Sequence, residues 1–252
     1  AELNLLGEYN LDNLLIAVAL ASSTGLSDEQ IAFAIPRLQS VPGRLEKVLA
    51  GQSFAALVDY AHTPDAVERV LETARSFTSG KLIAILGCGG DRDSSKRLFM
   101  GKALFAGSDI AIFTSDNPRS EDADQILKAM TAGVELADKG FVLSDRKAAI
   151  NFAVKQAGKD DTVLVLGKGH ESGQDINGVV TPFDDRLELA LQLIQKAKEM
   201  CLKYKIRSSN VLYDANGMGF IKDMHYGSKG FNNNGKQIQD EKSMAQYRNL
   251  KS

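Results

Sequence analysis

Arg92, Arg119 and Glu171 sit in three short stretches, GCGGDRD at residues 87–93, SDNPR at 115–119 and GKGHE at 167–171, each following an apolar run. A guanidinium held at the end of a strand can grip a carboxylate through two parallel hydrogen bonds. A carboxylate near two such cations can hold an ammonium. Together the three stretches suit an amino acid, which carries both charges. In DNPR, Pro118 fixes its own backbone and biases Asn117 toward an extended form, while Asp116, Asn117 and Arg119 offer a carboxylate, an amide and a guanidinium. Glycines such as Gly167 let the backbone approach a ligand closely. Each stretch alone has a blander reading. Asp91, Arg92 and Asp93 could lie in solvent around a tight turn, DNPR could be an ordinary Asn-Pro turn, and Lys168 and His170 could be solvated in a glycine-rich turn. His170 is given no acid–base role. Their common place at strand ends is the reason to read them together.

A second set of residues points to a nucleotide. DYAHTPD at residues 59–65 closes another apolar run. Asp59 could position a ribose or a magnesium-bound water, and Tyr60 could stack on a base. His62 and Thr63 could equally just open a helix. Arg44, after Pro42-Gly43, is most cheaply a surface arginine, yet a closing domain could bring it to a phosphate. GCGGDRD has neither the closing Gly-Lys-Ser/Thr of a P-loop nor the GxGxxG spacing, so it is not a phosphate cradle by motif.

These stretches need elements to position them. FAALVDY (54–60), KLIAILG (81–87), DIAIFTSD (109–116) and DTVLVLG (161–167) are nearly uninterrupted apolar runs, as expected of parallel strands buried on both faces, and FVL at 141–143 supplies another short strand. Helical segments at 67–77, 95–105, 122–136 and 145–157 alternate with them, the first opened by Thr63-Pro64-Asp65. The alternation predicts a doubly wound, mostly parallel Rossmann-like α/β sheet with ligands beyond the carboxyl ends of the strands. Asn177-Gly178 signals a late antiparallel hairpin, and Asp184 can cap a closing helix through about Lys198. A helix over 10–22 and a second with a Ser27/Gln30 capping box, disturbed by Pro36, precede the sheet. From Cys201 onward Asn, Gly and Lys accumulate without periodicity, so the tail is expected to be poorly ordered.

The chain has 252 residues, 44% hydrophobic and 25% charged, with a formal net charge of -2. This is globular composition with no global attraction for nucleic acid or an anionic membrane. Two cysteines, Cys88 and Cys201, without CxxC spacing indicate neither a disulfide framework nor a zinc site, which fits a reducing cytosol. No stretch approaches the ~18 apolar residues that span a bilayer. The chain opens with AELNLLGEYN rather than a methionine, from which an upstream portion is expected.

Taken in order, GxxN…PGR…DYAHTPDA…GCGGDRD…KR…DNPRSE…GKGHE…FDDR resembles the Mur ligase family, and within it the ligases that add 2,6-diaminopimelate, over about residues 7–193. Leu98 stands where relatives usually show proline, and nothing past about Ala197 resembles the family. The resemblance implies a three-domain enzyme. Residues 1–40 would be the C-terminal helices of a central ATPase domain, 41–198 the C-terminal amino-acid-binding domain, and 199–252 an atypical tail. The implied reaction is ATP-dependent. With ATP and magnesium as cofactors, meso-diaminopimelate is joined through an acyl phosphate to UDP-N-acetylmuramoyl-L-alanyl-D-glutamate, in cytoplasmic peptidoglycan synthesis. By resemblance, Asp116, Asn117, Pro118 and Arg119 form the meso-diaminopimelate recognition motif, and Arg92, Gly167 and Glu171 fall on the other diaminopimelate contacts. Asn10, Arg44 and Asp59 match ATP contacts, with Tyr60 and His62 as neighbours. No catalytic residue and no metal ligand is assigned, and the chain alone is expected not to turn over. The expected partners are the two small-molecule substrates and the missing amino-terminal and central domains, with no nucleic acid and no membrane. Two alternatives stand: a stand-alone diaminopimelate-binding module, and an unrelated nucleotide-binding α/β enzyme such as a dehydrogenase.

Overall fold

An apolar run with almost no polar residue has no face to give to water, so it must be covered on both sides. In the computed structural model, which describes residues 7–38, 41–203, 211–213 and 219–221, these runs become β2 (Ala55–Asp59), β3 (Leu82–Cys88), β4 (Ile110–Ser115) and β6 (Thr162–Leu166). With β1 (Glu46–Lys47) and β5 (Gly140–Val142) they form one six-stranded sheet in the order β1-β2-β6-β3-β4-β5. All neighbours are parallel except β1, which runs antiparallel to β2.

Alternate residues of each strand enter different cores. Leu57, Leu82, Ala84, Leu86, Phe113, Leu164 and Leu166 pack under α3 (Pro64–Phe77), α4 (Ser95–Gly107) and α5 (Ala123–Thr131). Val58, Ile83, Ile85, Ile112, Val163 and Val165 pack under α6 (Arg146–Gln156) and α7 (Asp185–Lys203). The expected doubly wound α/β class is therefore the observed one. Asn177 and Gly178, both at positive φ, turn the expected hairpin of β7 (Gly173–Ile176) and β8 (Val179–Pro182).

Helix starts follow their caps. Thr63 accepts the Ala66 amide at 3.3 Å ahead of Pro64 in α3, and Asp145 accepts the Ala148 amide at 3.0 Å ahead of α6. α1 (Glu8–Ser23) leads into α2 (Asp28–Ala34), whose Ser27/Gln30 capping box is complete, and Pro36 tightens its end into a 3-10 turn at Ile35–Arg37. The helix expected over 122–136 is shorter. Asp122 is the cap outside it, and the chain leaves helical geometry after Thr131, with Gly133 at φ 71 and Val134 donating back to Thr131. The closing helix runs further than expected, to Lys203, with Cys201 buried. The expectation of a poorly ordered tail otherwise falls on residues 204–252, which lie outside the described residues apart from the antiparallel pair β9 (Val211–Tyr213) and β10 (Gly219–Ile221).

The topology creates a crevice. From β3 the chain winds outward through β4 to β5, then returns on the other face through α6 to insert β6 between β2 and β3. The connections leaving β3 and β6 therefore diverge to opposite faces of the sheet. A gap opens at the carboxyl ends, where α/β proteins of this kind bind ligands. GCGGDRD, DNPR, GKGHE and DYAHTPD all begin at that edge.

Candidate functional site

DNPR is held from both sides. On one side Gly90 donates its amide to the Asn117 carbonyl at 2.8 Å, and the Arg119 guanidinium donates to the Gly90 carbonyl at 2.7 Å. Asp91 and Glu121 lock the same two loops together: Ser120 Oγ donates to Asp91 at 2.6 Å, and the Asp91 amide donates to Glu121 at 2.6 Å. Buried Arg97 grips Glu121 at 2.7 and 2.8 Å and holds its carboxyl below the usual glutamate range. On the other side β7 adds itself to the motif. The Arg119 amide donates to the Asp175 carbonyl, and its own carbonyl accepts from the Asn177 amide at 2.7 Å. Gln174 Nε2 donates to the Asp116 carbonyl at 2.6 Å.

GKGHE meets DNPR through Lys168, which is fully buried. The reading of Lys168 as a solvated turn residue is thus corrected. Its Nζ donates to Asn117 Oδ1 at 3.0 Å, Glu171 Oε2 at 3.1 Å and the Gly173 carbonyl at 2.7 Å. Asn117 Nδ2 also donates to Glu171 Oε2 at 2.8 Å, while Asn117 Oδ1 accepts the Asp175 amide at 3.0 Å. Beneath these loops lies Arg146 of α6, also fully buried, paired with buried Asp185 at 2.6 and 2.7 Å. Arg146 also donates to the carbonyls of Ser115, at 3.2 Å, and Leu166, at 2.9 Å. These are the residues just before Asp116 and Gly167, so one guanidinium braces the bases of both loops. Neither Lys168 nor Arg146 was singled out from sequence. The only pointer to the latter's partner was Asp185 within FDDR.

Asn117, Arg119, Glu171, Ser172, Gly173, Asp175 and Val180 line a cavity of about 340 Å³, near the lower end of the ~300–1,000 Å³ range of small-molecule sites. Arg119 and Glu171 thus share a cavity as expected. Arg92 does not line it: its side chain is exposed, and its Nη1 donates weakly to the Asp91 carbonyl at 3.4 Å. It nevertheless flanks Arg119, since a methyl group on Gly89 would meet both side chains, at 2.9 Å from Arg119 and 3.7 Å from Arg92. Asp116, Pro118 and Gly167 are buried behind the cavity wall. Gly167 has φ 109, and a Cβ there would lie 2.8 Å from Asp116 Oδ2, so glycine is required.

Burial pushes the Asp116 carboxyl above the usual aspartate range, opposed by Arg146 and Lys168 and reinforced by Glu171 and Asp185. Native Asp116 therefore keeps a proton at pH values where the unfolded chain has lost it. Its contribution to stability falls as pH climbs from the ordinary aspartate value through the raised one. Asp116→Asn is expected to flatten that fall, read by urea unfolding of both proteins across pH; an unchanged slope would contradict it. The same buried carboxylate, after burial itself, pushes the Cys88 thiol up to about 12, which leaves it inert as a nucleophile.

The second set of residues gathers at the neighbouring strand end. Both carboxylate oxygens of Asp59 accept backbone amides, Leu45 at 2.7 Å and Ala61 at 2.8 Å, so Asp59 acts as a strut for the Arg44 loop. The Arg44 guanidinium lies 5.3 Å from the centre of the Tyr60 ring, and the His62 and His170 rings flank Tyr60 at 4.6 and 5.4 Å. His170 thus joins the aromatic group, which sequence reasoning did not foresee. Asn10 lies apart in sequence, in the first turn of α1. The two sites touch at Gly43, where φ is 70 and a Cβ would sit 2.4 Å from the His170 amide nitrogen. Gly43→Ala is expected to cost about 1–3 kcal/mol from strain and overpacking, measured by urea denaturation; wild-type stability would refute that close approach.

A family described as "Mur ligase, glutamate ligase domain" matches residues 43–169. This chain belongs to the Mur ligase family. The likeness of its motif order to that family is therefore borne out, and the match covers β1 to β6 with the first two strand-end loops and ends within the third, at residue 169. A UDP-N-acetylmuramoyl-L-alanyl-D-glutamate–2,6-diaminopimelate ligase from Geobacillus thermodenitrificans is 49% identical over 186 residues, 73% of this chain and 38% of that protein. The enzyme of the same name from Streptomyces coelicolor is 52% identical over 187 residues, 72% of this chain and 37% of that protein. A solved structure of a ligase of this name is 39% identical with a TM-score of 0.62, over 78% of this chain and 40% of that one. The chain thus spans well under half the length of the Mur ligases it matches.

Proposed function

We propose that this chain is the amino-acid-binding part of a ligase that adds meso-diaminopimelate to UDP-N-acetylmuramoyl-L-alanyl-D-glutamate in peptidoglycan synthesis. The observation that carries this reading is the cavity shared by Asn117, Arg119, Glu171 and Asp175. Behind and beside it, Arg146 and Lys168 face Asp116, Asp185 and Glu171, two cations against three anions. Glu171 Oε1, which accepts no hydrogen bond among the described residues, is placed to take a substrate ammonium. Arg119, with Arg92 at the rim, supplies the guanidinium groups for a carboxylate. Glu171 and a loop carbonyl take an ammonium.

The Tyr60 platform beside the Arg44 guanidinium fits a nucleotide, one suited to a base and the other to a phosphate. ATP, when bound, supplies the phosphoryl group that activates the D-glutamate carboxylate as an acyl phosphate. The part played by this chain is positioning: it holds diaminopimelate so that one amine faces that carbon, and the rim arginines offset charge. Among the described residues no group of three or more His, Cys, Asp or Glu side chains is placed to hold a metal ion. No helix among the described residues is long and apolar enough to cross a membrane, and the reading places the chain in the cytoplasm.

Residues 1–40 read as the last helices of a central ATPase domain and 41–198 as the amino-acid-binding domain. In support, Leu11, Leu15, Ile16 and Leu20 of α1 and Phe33 of α2 are exposed, apolar side chains that the remainder of a ligase would cover. Calorimetry on the chain tests the proposal. Saturable binding of meso-diaminopimelate, with none of NAD, is expected; NAD binding without diaminopimelate binding would favour a dehydrogenase-like protein instead.

A further inference from the structure

Lys168 is the only lysine among the residues of the described chain that is fully buried. The three protons of its ammonium have three acceptors, Asn117 Oδ1, Glu171 Oε2 and the Gly173 carbonyl, so it has no donor left for a ligand. All three acceptor residues line the same cavity. A buried ammonium that only stabilised the fold would have no reason to spend every bond on one wall of one pocket.

The consequence for Glu171 is specific. Its Oε2 accepts from both Lys168 and Asn117, whereas Oε1 makes no hydrogen bond among the described residues. One oxygen is fixed by the protein and the other is left for an incoming donor. Asn117 is fixed at both ends of its amide in the same way, by Lys168 and the Asp175 amide at the oxygen and by Glu171 at the nitrogen.

We infer that Lys168 is a positioning residue for ammonium recognition, an internal cation that sets Glu171 and Asn117 in place and leaves Glu171 Oε1 to discriminate an amino acid from a plain diacid. This rests on the reading of the cavity as the diaminopimelate site. The Arg119 guanidinium makes its hydrogen bond to the Gly90 carbonyl and none to Lys168, Asn117 or Glu171, so its grip on a carboxylate should survive without Lys168.

The test compares meso-diaminopimelate with pimelate, the same seven-carbon diacid without its two amines, by calorimetry on the wild-type chain and Lys168→Met. The wild type should prefer meso-diaminopimelate, and the variant should lose roughly 10–100-fold of that preference, as expected for charge-assisted hydrogen bonds, while its pimelate affinity stays within about twofold. Equal weakening of both ligands would mean that Lys168 only supports the fold, and an unchanged preference would mean that it does not act on Glu171; either overturns the inference. Should the variant not fold, the ammonium nitrogen resonance of the wild-type chain decides. A solvent-protected lysine signal that shifts on saturation with meso-diaminopimelate supports the role, and an unprotected or unshifted one overturns it. Failure of the wild type to bind meso-diaminopimelate at all would instead remove the reading of the cavity itself, and this inference with it.

Discussion

Arg146→Met is expected to lower the stability of the chain by about 3–5 kcal/mol, the range for breaking a buried ion pair by removing one partner. Asp185 would be left as a fully buried carboxylate without the guanidinium that meets it at 2.6 and 2.7 Å. Two strand-end carbonyls, Ser115 and Leu166, would lose their donor at the same time. Replacing both members of the pair, as Arg146→Met with Asp185→Leu, removes the orphaned charge, so the double variant should be more stable than the single one. Urea denaturation of the three proteins reads this directly. A single-variant loss below about 1 kcal/mol, the size of an exposed pair, would show that the brace contributes little. Because the two carbonyls belong to the residues just before Asp116 and Gly167, the double variant should still show looser ligand binding despite its recovered stability.

Arg119→Lys is expected to raise the meso-diaminopimelate requirement by roughly 10–100-fold, the cost of a lost charge-assisted hydrogen-bond pair, and to leave the ATP requirement nearly unchanged. Lysine keeps the charge but not the planar fork that can bind a carboxylate through two bonds while reaching the Gly90 carbonyl at 2.7 Å. The backbone role of position 119 should survive, since its amide and carbonyl, not its side chain, join it to Asp175 and Asn177. Steady-state kinetics of the complete ligase carrying the change would separate the two substrates. Equal effects on both would count against a role confined to the amino acid.

The elements were legible because their signals are local. The apolar runs of β2, β3, β4 and β6, the Thr63 and Asp145 caps and the Asn177-Gly178 turn each depend on a few neighbouring residues. So were the candidate loops, as chain segments that begin where strands end. What could not be read is which side chains those loops turn inward. Lys168, between two glycines, has the local look of a solvated turn residue, and its burial depends on β6 being inserted between β2 and β3 by the return through α6. Arg146 follows an ordinary cap and sits in the first turn of its helix like any solvated arginine. Only the meeting of α6 with the start of α7 encloses it with Asp185. Arg92 differs in the opposite direction: it was read together with Arg119 and Glu171, but its side chain is exposed and outside the cavity lining, next to Asp91 at positive φ.

The most direct test is an amide chemical-shift titration of the chain with meso-diaminopimelate. Saturable shifts are expected together in the loops at 115–119 and 167–175, following a single binding curve, with the strands beneath them little changed. Shifts in only one of those loops, or at unrelated positions such as the amino-terminal edge of the sheet, would mean that the turns at the carboxyl edge do not form one binding site.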